Sequence, residues 1–156
     1  MTNLNAGDIG RYRTTGSVSS TDTIPVFTGT SLSRETPANI VNAAGGIVLN
    51  AAIDDVSTAG SYWVVSPVAG TVSAIYSVIN GAIATADAGL SFEIGGTAIT
   101  GGGITIANAG SAAGDVDSST PSAANTVTAG QAIELITDGA STNTVKAEIS
   151  IVIQVS

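Results

Sequence analysis

Across residues 144–155 apolar and polar side chains alternate almost without a break. Val145, Ala147, Ile149, Ile151, Ile153 and Val155 fall on one face, and Lys146, Glu148, Ser150 and Gln154 on the other, with Val152 the exception. A period of two marks a β-strand with one buried face. Such a strand needs neighbours with matching apolar faces, and the preceding hundred residues offer them. Residues 47–53, 60–65, 71–79, 90–94, 104–106 and 132–136 are short apolar or alternating runs. Gly, Pro and Asp punctuate them at 54–55, 67–70, 95–96 and 101–103. Gly95-Gly96, between 90–94 and 97–99, is the best local hairpin signal. Residues 107–125 are small and polar and read as a long loop, and 126–131 lead into the next strand. Seven or eight strands with no helix between them make this part an all-β, antiparallel β-sandwich or jelly roll.

The core of such a domain is thin. Much of its apolar content is alanine, and only six of 156 residues are aromatic. At roughly 25 cal/mol per Å² of buried apolar surface, small side chains contribute little each, and oligomerisation is a natural supplement. The expected state is a homo-oligomer.

A seam at Gly45-Gly46 divides the chain. Residues 1–45 hold Arg11, Arg13 and Arg34 against Asp8, Asp22 and Glu35, whereas 46–156 hold Lys146 alone against nine carboxylates, so the net charge of -8 belongs to the second part. Residues 1–45 read as an extended N-terminal arm for attachment, and 46–156 as a display domain. Within the arm, Pro25 confines any strand to an edge. Thr36 as N-cap, Pro37 as first helical residue and Gly45 after the end delimit a short helix at about 37–44.

Several function classes recede on composition. Cysteine and histidine are both absent, which removes disulfides, thiolate metal sites and the commonest general base. An acidic domain repels nucleic acid, so no nucleic-acid partner is expected. No run of about 18 apolar residues occurs, and the N-terminus lacks the layout of a signal peptide, so no membrane partner is expected either.

Two stretches carry a resemblance. Asp22-Thr23-Ile24-Pro25-Val26-Phe27-Thr28-Gly29-Thr30-Ser31-Leu32, followed by 37–46, looks like the linker that precedes the display domains of phage fibres and head appendages. Pro67-Val68-Ala69-Gly70-Thr71-Val72, Ala82-Ile83-Ala84-Thr85-Ala86-Asp87-Ala88 and Val127-Thr128-Ala129-Gly130-Gln131 resemble tailed-bacteriophage capsid decoration (cement) proteins with a jelly-roll-like β domain. The resemblance implies a homo-oligomer, a trimer favoured and a dimer possible, on the outer capsid surface of the virion, clamping neighbouring copies of the major capsid protein. It brings no catalytic residue and no cofactor.

Candidate residues are each weighed against a plainer role. Arg11, Arg13, Ile24, Val26, Phe27 and Arg34 are the expected arm contacts, the arginines through bidentate pairs with carboxylates of a partner shell. Tyr62, Trp63 and Tyr76 are interface or ligand aromatics, able to anchor a subunit contact or stack on a sugar. Asp54-Asp55 and 115–119 offer oxygen ligands for calcium but lack the spacing of a calcium loop, and acidic turns explain them better. Asp87, Glu93, Glu134 and Glu148 could pair as hydrolase carboxylates, and solvated strand faces are the simpler account. The serines and threonines have no activating base. Gly101-Gly102-Gly103 reads as a turn. The expected function is therefore binding without chemistry, as a capsid decoration protein. The alternative is a receptor- or carbohydrate-binding domain of a phage fibre or head appendage.

Overall fold

The computed structural model describes residues 24–28, 31–35 and 46–155. The chain divides into two units, Met1–Ile40 and Val41–Ser156. In the first, β1 (Ile24–Thr28) and β2 (Ser31–Glu35) form an antiparallel hairpin, with Ile24 opposite Glu35 and Thr28 opposite Ser31. Where the sequence reads as an extended linker, backbone pairing within 24–35 closes it on itself, and among the described residues Pro25 sits in a strand that pairs on one side only. The expected helix at 37–44, and Arg11 and Arg13, lie outside the described residues.

The second unit is an antiparallel β-sandwich. Its strands are β3 (Ile47–Ile53), β4 (Gly60–Val65), β5 (Gly70–Ile79), β6 (Ala88–Ile94), β7 (Thr97–Ala98), β8 (Ile104–Ile106), β9 (Val116–Ser119), β10 (Thr126–Val127), β11 (Ala132–Thr137) and β12 (Ala147–Val155). The first sheet runs β10-β5-β12-β3, with β9 also on β5; the second runs β4-β11-β6-β7, with β8 also on β6. The opening strand pairs with the last in one sheet, and the next strand with the last but one in the other. That is the strand order of a jelly roll.

Alternation builds the core. Ile149, Ile151 and Ile153 of β12 face inward with Leu49, Ile53, Val72, Ile75 and Ile79 of the same sheet, against Leu90, Phe92, Ile133 and Leu135 of the other. Phe92, 1% exposed, is the one aromatic ring among the fully buried side chains of the described residues. The long strand begins at Ala147 and not at residue 144, because the backbone before it is used elsewhere. Val145 N donates to the Asp55 carboxylate and Val145 O accepts from Val56 N.

A bulge interrupts β5 opposite β12. Ala74 faces Val152 and Val72 faces Ile153, which leaves Ser73 without a counterpart, its hydroxyl donating to Val152 O at 3.3 Å. The slip lets Val72 and Ile75 both point inward despite their odd spacing.

The Gly95-Gly96 hairpin forms as expected, both glycines at positive φ (60° and 75°), which a side chain would strain. The expected loop 107–125 is partly a strand. β9 lies along β5, pinned by Gly114 N donating to Ile79 O and Ile79 N donating to Asp115 O. Val-Asp-Ser-Ser has little strand propensity of its own, and the edge of β5 supplies the template.

Candidate functional site

Two sheet faces look outward, and the register places every side chain on them. On the second sheet, Trp63 of β4 stands opposite Glu134 of β11, which stands opposite Glu93 of β6. The neighbouring row is Ser61, Ile136 and Ser91, and the row on the other side begins with Val65 and Ala132. On the first sheet, Val48 of β3, Val152 of β12 and Ala74 of β5 form one row, and Asn50, Ser150, Tyr76 and Ser118 the next. Ala52, Glu148, Val78 and Val116 form the row beyond that, and the Ser150 hydroxyl is within 3.0 Å of Asn50 Oδ1.

The three candidate aromatics therefore do not meet. Tyr62 points inward and packs against the core. Trp63 is 63% exposed on the second sheet, and Tyr76 is exposed on the outer face of the first. A single stacking platform built from all three is not formed. Trp63 is not a core anchor either, and its surface is open to a partner.

Ile24, Val26, Phe27 and Arg34 lie on the β1–β2 hairpin, where Arg34 is the register partner of Pro25, Val26 that of Ser33 and Phe27 that of Leu32.

The acidic turns are internally satisfied. Asp55 accepts from Ser57 N (2.9 Å), Ser57 Oγ (2.7 Å), Thr58 Oγ1 (2.9 Å) and Val145 N (3.3 Å). The Ser57 hydroxyl, then its amide, hold the Asp55 carboxyl below the ordinary aspartate value. Asp54 pairs with Lys146 at 3.2 Å in the open, a contact of small worth. Asp115 accepts from Ala112 N, and Asp87 from Asn108 N. Among the described residues, no three carboxylates gather as a metal set would require.

Of the four candidate hydrolase carboxylates, Glu93 and Glu134 come together across adjacent strands. Glu148 lies in the other sheet and Asp87 in the turn before β6. Beside the Glu93–Glu134 row lies a shallow depression of about 440 Å³, floored by Gly89, Ser91 and Ile136 and flanked by Thr105 and Asp138. Asp138 is occupied there, accepting from Gly89 N at 2.9 Å and from Ala140 N at 3.0 Å. Gly101–Gly103 is a turn, closed by Gly102 N donating to Ile99 O.

Sequence reasoning names Glu93 and Glu134 among four carboxylates but does not single out this pair, and it misses the open edge beside Trp63. Cross-strand register decides the first, and register is a property of the whole sheet. The second has a local sign: Gly60–Val65 is a strand with no charged residue and no proline.

Compared with known proteins, the chain matches no family model, no curated protein and no solved structure.

Proposed function

We propose that this chain is a viral structural protein, a capsid decoration protein that binds the outside of a phage head and stabilises it. The observation that carries the reading is the division of the chain. Met1–Ile40 contains the β1–β2 hairpin and all three arginines, while Val41–Ser156 contains a jelly roll bearing the whole net negative charge. One unit suits attachment and the other display.

In this reading Arg11, Arg13 and Arg34 pair with carboxylates of the major capsid protein, and Ile24, Val26 and Phe27 add apolar contact. The acidic sandwich faces solvent, where like charge keeps virions apart. Each arm contact is weak alone, and a homo-oligomer that engages several capsid subunits at once gains affinity through effective concentration. The work done is binding, on the outer capsid surface of the virion.

Co-sedimentation with capsids lacking the protein tests this. The full chain is expected to pellet in a saturating, symmetry-related ratio, and Arg11→Ser/Arg13→Ser/Arg34→Ser to stay in the supernatant. A full chain that never pellets sinks the proposal.

A second reading, a carbohydrate- or receptor-binding domain of a fibre or head appendage, is favoured by one feature. Trp63 lies open on the same face as the depression floored by Ser91 and Ile136. A glycan array decides between them: binding lost in Trp63→Ala supports the appendage.

A further inference from the structure

β4 is an edge strand with one side of its backbone unpaired in the sheet. Among the described residues it pairs with β11 alone, and hydrogen-bonded and non-hydrogen-bonded pairs alternate along an antiparallel ladder. Just past the strand, Ser66 N donates to Gln131 O at 2.9 Å. Counting back along the register, Val64, Tyr62 and Gly60 bond to Ile133, Leu135 and Thr137. The far side of β11 agrees: Asp138 N donates to Gly89 O, so Glu134 and Ile136 serve β6. The N–H and C=O groups of Ser61, Trp63 and Val65 are thus directed to the open edge.

Folded proteins usually blunt such an edge with charge, proline, a bulge or short length. The other end of this sheet obeys, closing in strands of two and three residues. β4 does not. It is six residues of Gly-Ser-Tyr-Trp-Val-Val, in unbroken register with β11. Two of the three residues with open backbone groups also carry exposed apolar side chains, Trp63 at 63% and Val65 at 57%.

We propose that the free edge of β4 pairs antiparallel with β4 of a second copy of this chain, across a twofold axis, merging the second sheets of the two copies into one continuous sheet. Residues directly opposite one another share a face, so outward residues meet outward residues. The register that satisfies this and uses the open groups is centred on Trp63. It sets the two Trp63 side chains against each other and Ser61 against Val65 of the other copy. An isologous contact of this kind closes as a dimer, so of the two oligomers expected from the sequence it selects the dimer and not the trimer. The inference does not depend on where the protein attaches.

Charge allows a second copy here. The nearest charged neighbour of Trp63 in its row is Glu134, one strand in. In the merged sheet the two Glu134 side chains stand three strand spacings apart, about 14 Å. That exceeds the screening length of roughly 8 Å at physiological salt.

Area sets the strength. A six-residue strand is about 20 Å long, and the side of a two-layer sandwich has a similar depth. The contact then covers roughly 400 Å² per copy, about half of a standard stable interface. The dimer is therefore expected to dissociate on dilution.

Sedimentation equilibrium of the full chain over a wide concentration range tests this, with Trp63→Lys placing charge at the axis and Val65→Pro removing one open N–H. The expected result is a monomer–dimer equilibrium in the parent, accompanied by a blue shift of Trp63 emission. Both variants stay monomeric with unchanged far-UV circular dichroism. A parent that is monomeric throughout, one that forms trimers, or a dimer that survives both substitutions overturns the proposal. A monomer whose Trp63 is shielded from acrylamide also overturns it, since the protein's own chain then covers the edge.

Discussion

Glu134 of β11 stands directly opposite Glu93 of β6, so two carboxylates share one cross-strand position on the outer face of the second sheet. Like charges so placed oppose the pairing of their strands, by a few tenths to about 1 kcal/mol. Both side chains are half-buried. Replacing one with its neutral isostere keeps the volume and removes the repulsion. Glu93→Gln is expected to raise the stability of the sandwich by a few tenths of a kcal/mol at low salt. The gain shrinks in high salt, where the repulsion is screened already. Urea titrations of both proteins at two ionic strengths check this, and a gain that salt leaves unchanged would point away from charge.

Ser77 presents a different imbalance. It lies on the inward face of β5, is 2% exposed, and its hydroxyl has no hydrogen-bond partner. A buried donor left unsatisfied costs on the order of 1–3 kcal/mol. Ser77→Ala removes the hydroxyl and leaves only a small void, so it is expected to stabilise the domain by about 1 kcal/mol. Thermal melts read the change directly. A destabilised Ser77→Ala would show that the hydroxyl is in fact bonded, and that it belongs to the core packing.

The aromatic residues divide between holding the fold and meeting partners. Phe92 is buried among the isoleucines of both sheets, and truncating such a ring costs about 3–5 kcal/mol. Trp63 is mostly in solvent, and Trp63→Ala is expected to change monomer stability by less than about 0.5 kcal/mol. Denaturant melts of the two variants, run at high dilution, separate the roles. An equal loss for both would mean that Trp63 packs within its own domain.

The fold is largely legible in the sequence because the sandwich is built from period-two strands. The alternation of Ile149, Ile151 and Ile153 by itself names the buried face of β12, and Gly95-Gly96 marks its hairpin. What resists reading depends on contacts between distant residues. β9 has no intrinsic strand signal and exists because β5 offers an edge. The β1–β2 hairpin flanks Gly29-Thr30, a weaker turn signal than the paired glycines at 95–96. The separation of Trp63 from Tyr76 follows from which sheet each strand joins, and two strands adjacent in sequence join opposite sheets. Asp55 is readable as a turn residue, but its bond to Val145, ninety positions away, is not.

That bond gives Asp55 a pH-dependent role. Its folded carboxyl lies below the ordinary value of 3.8, chiefly through the Ser57 hydroxyl and amide, with help from Thr58 and Val145. A lowered folded pKa means that the unfolded chain takes up its proton first as the pH falls. The stabilisation is therefore complete above the unfolded value, near pH 4. It is lost as the pH drops through the folded pKa. Asp55→Ala is expected to lower the melting temperature at pH 6, freeing the turn between β3 and β4 from the segment that leads into β12. Below the folded pKa the parent carboxyl is protonated as well, and the gap between the two proteins narrows. Melting curves taken from pH 6 down to pH 2 check the sign. A gap that stays constant over that range would mean the side chain acts through its shape and not through its charge.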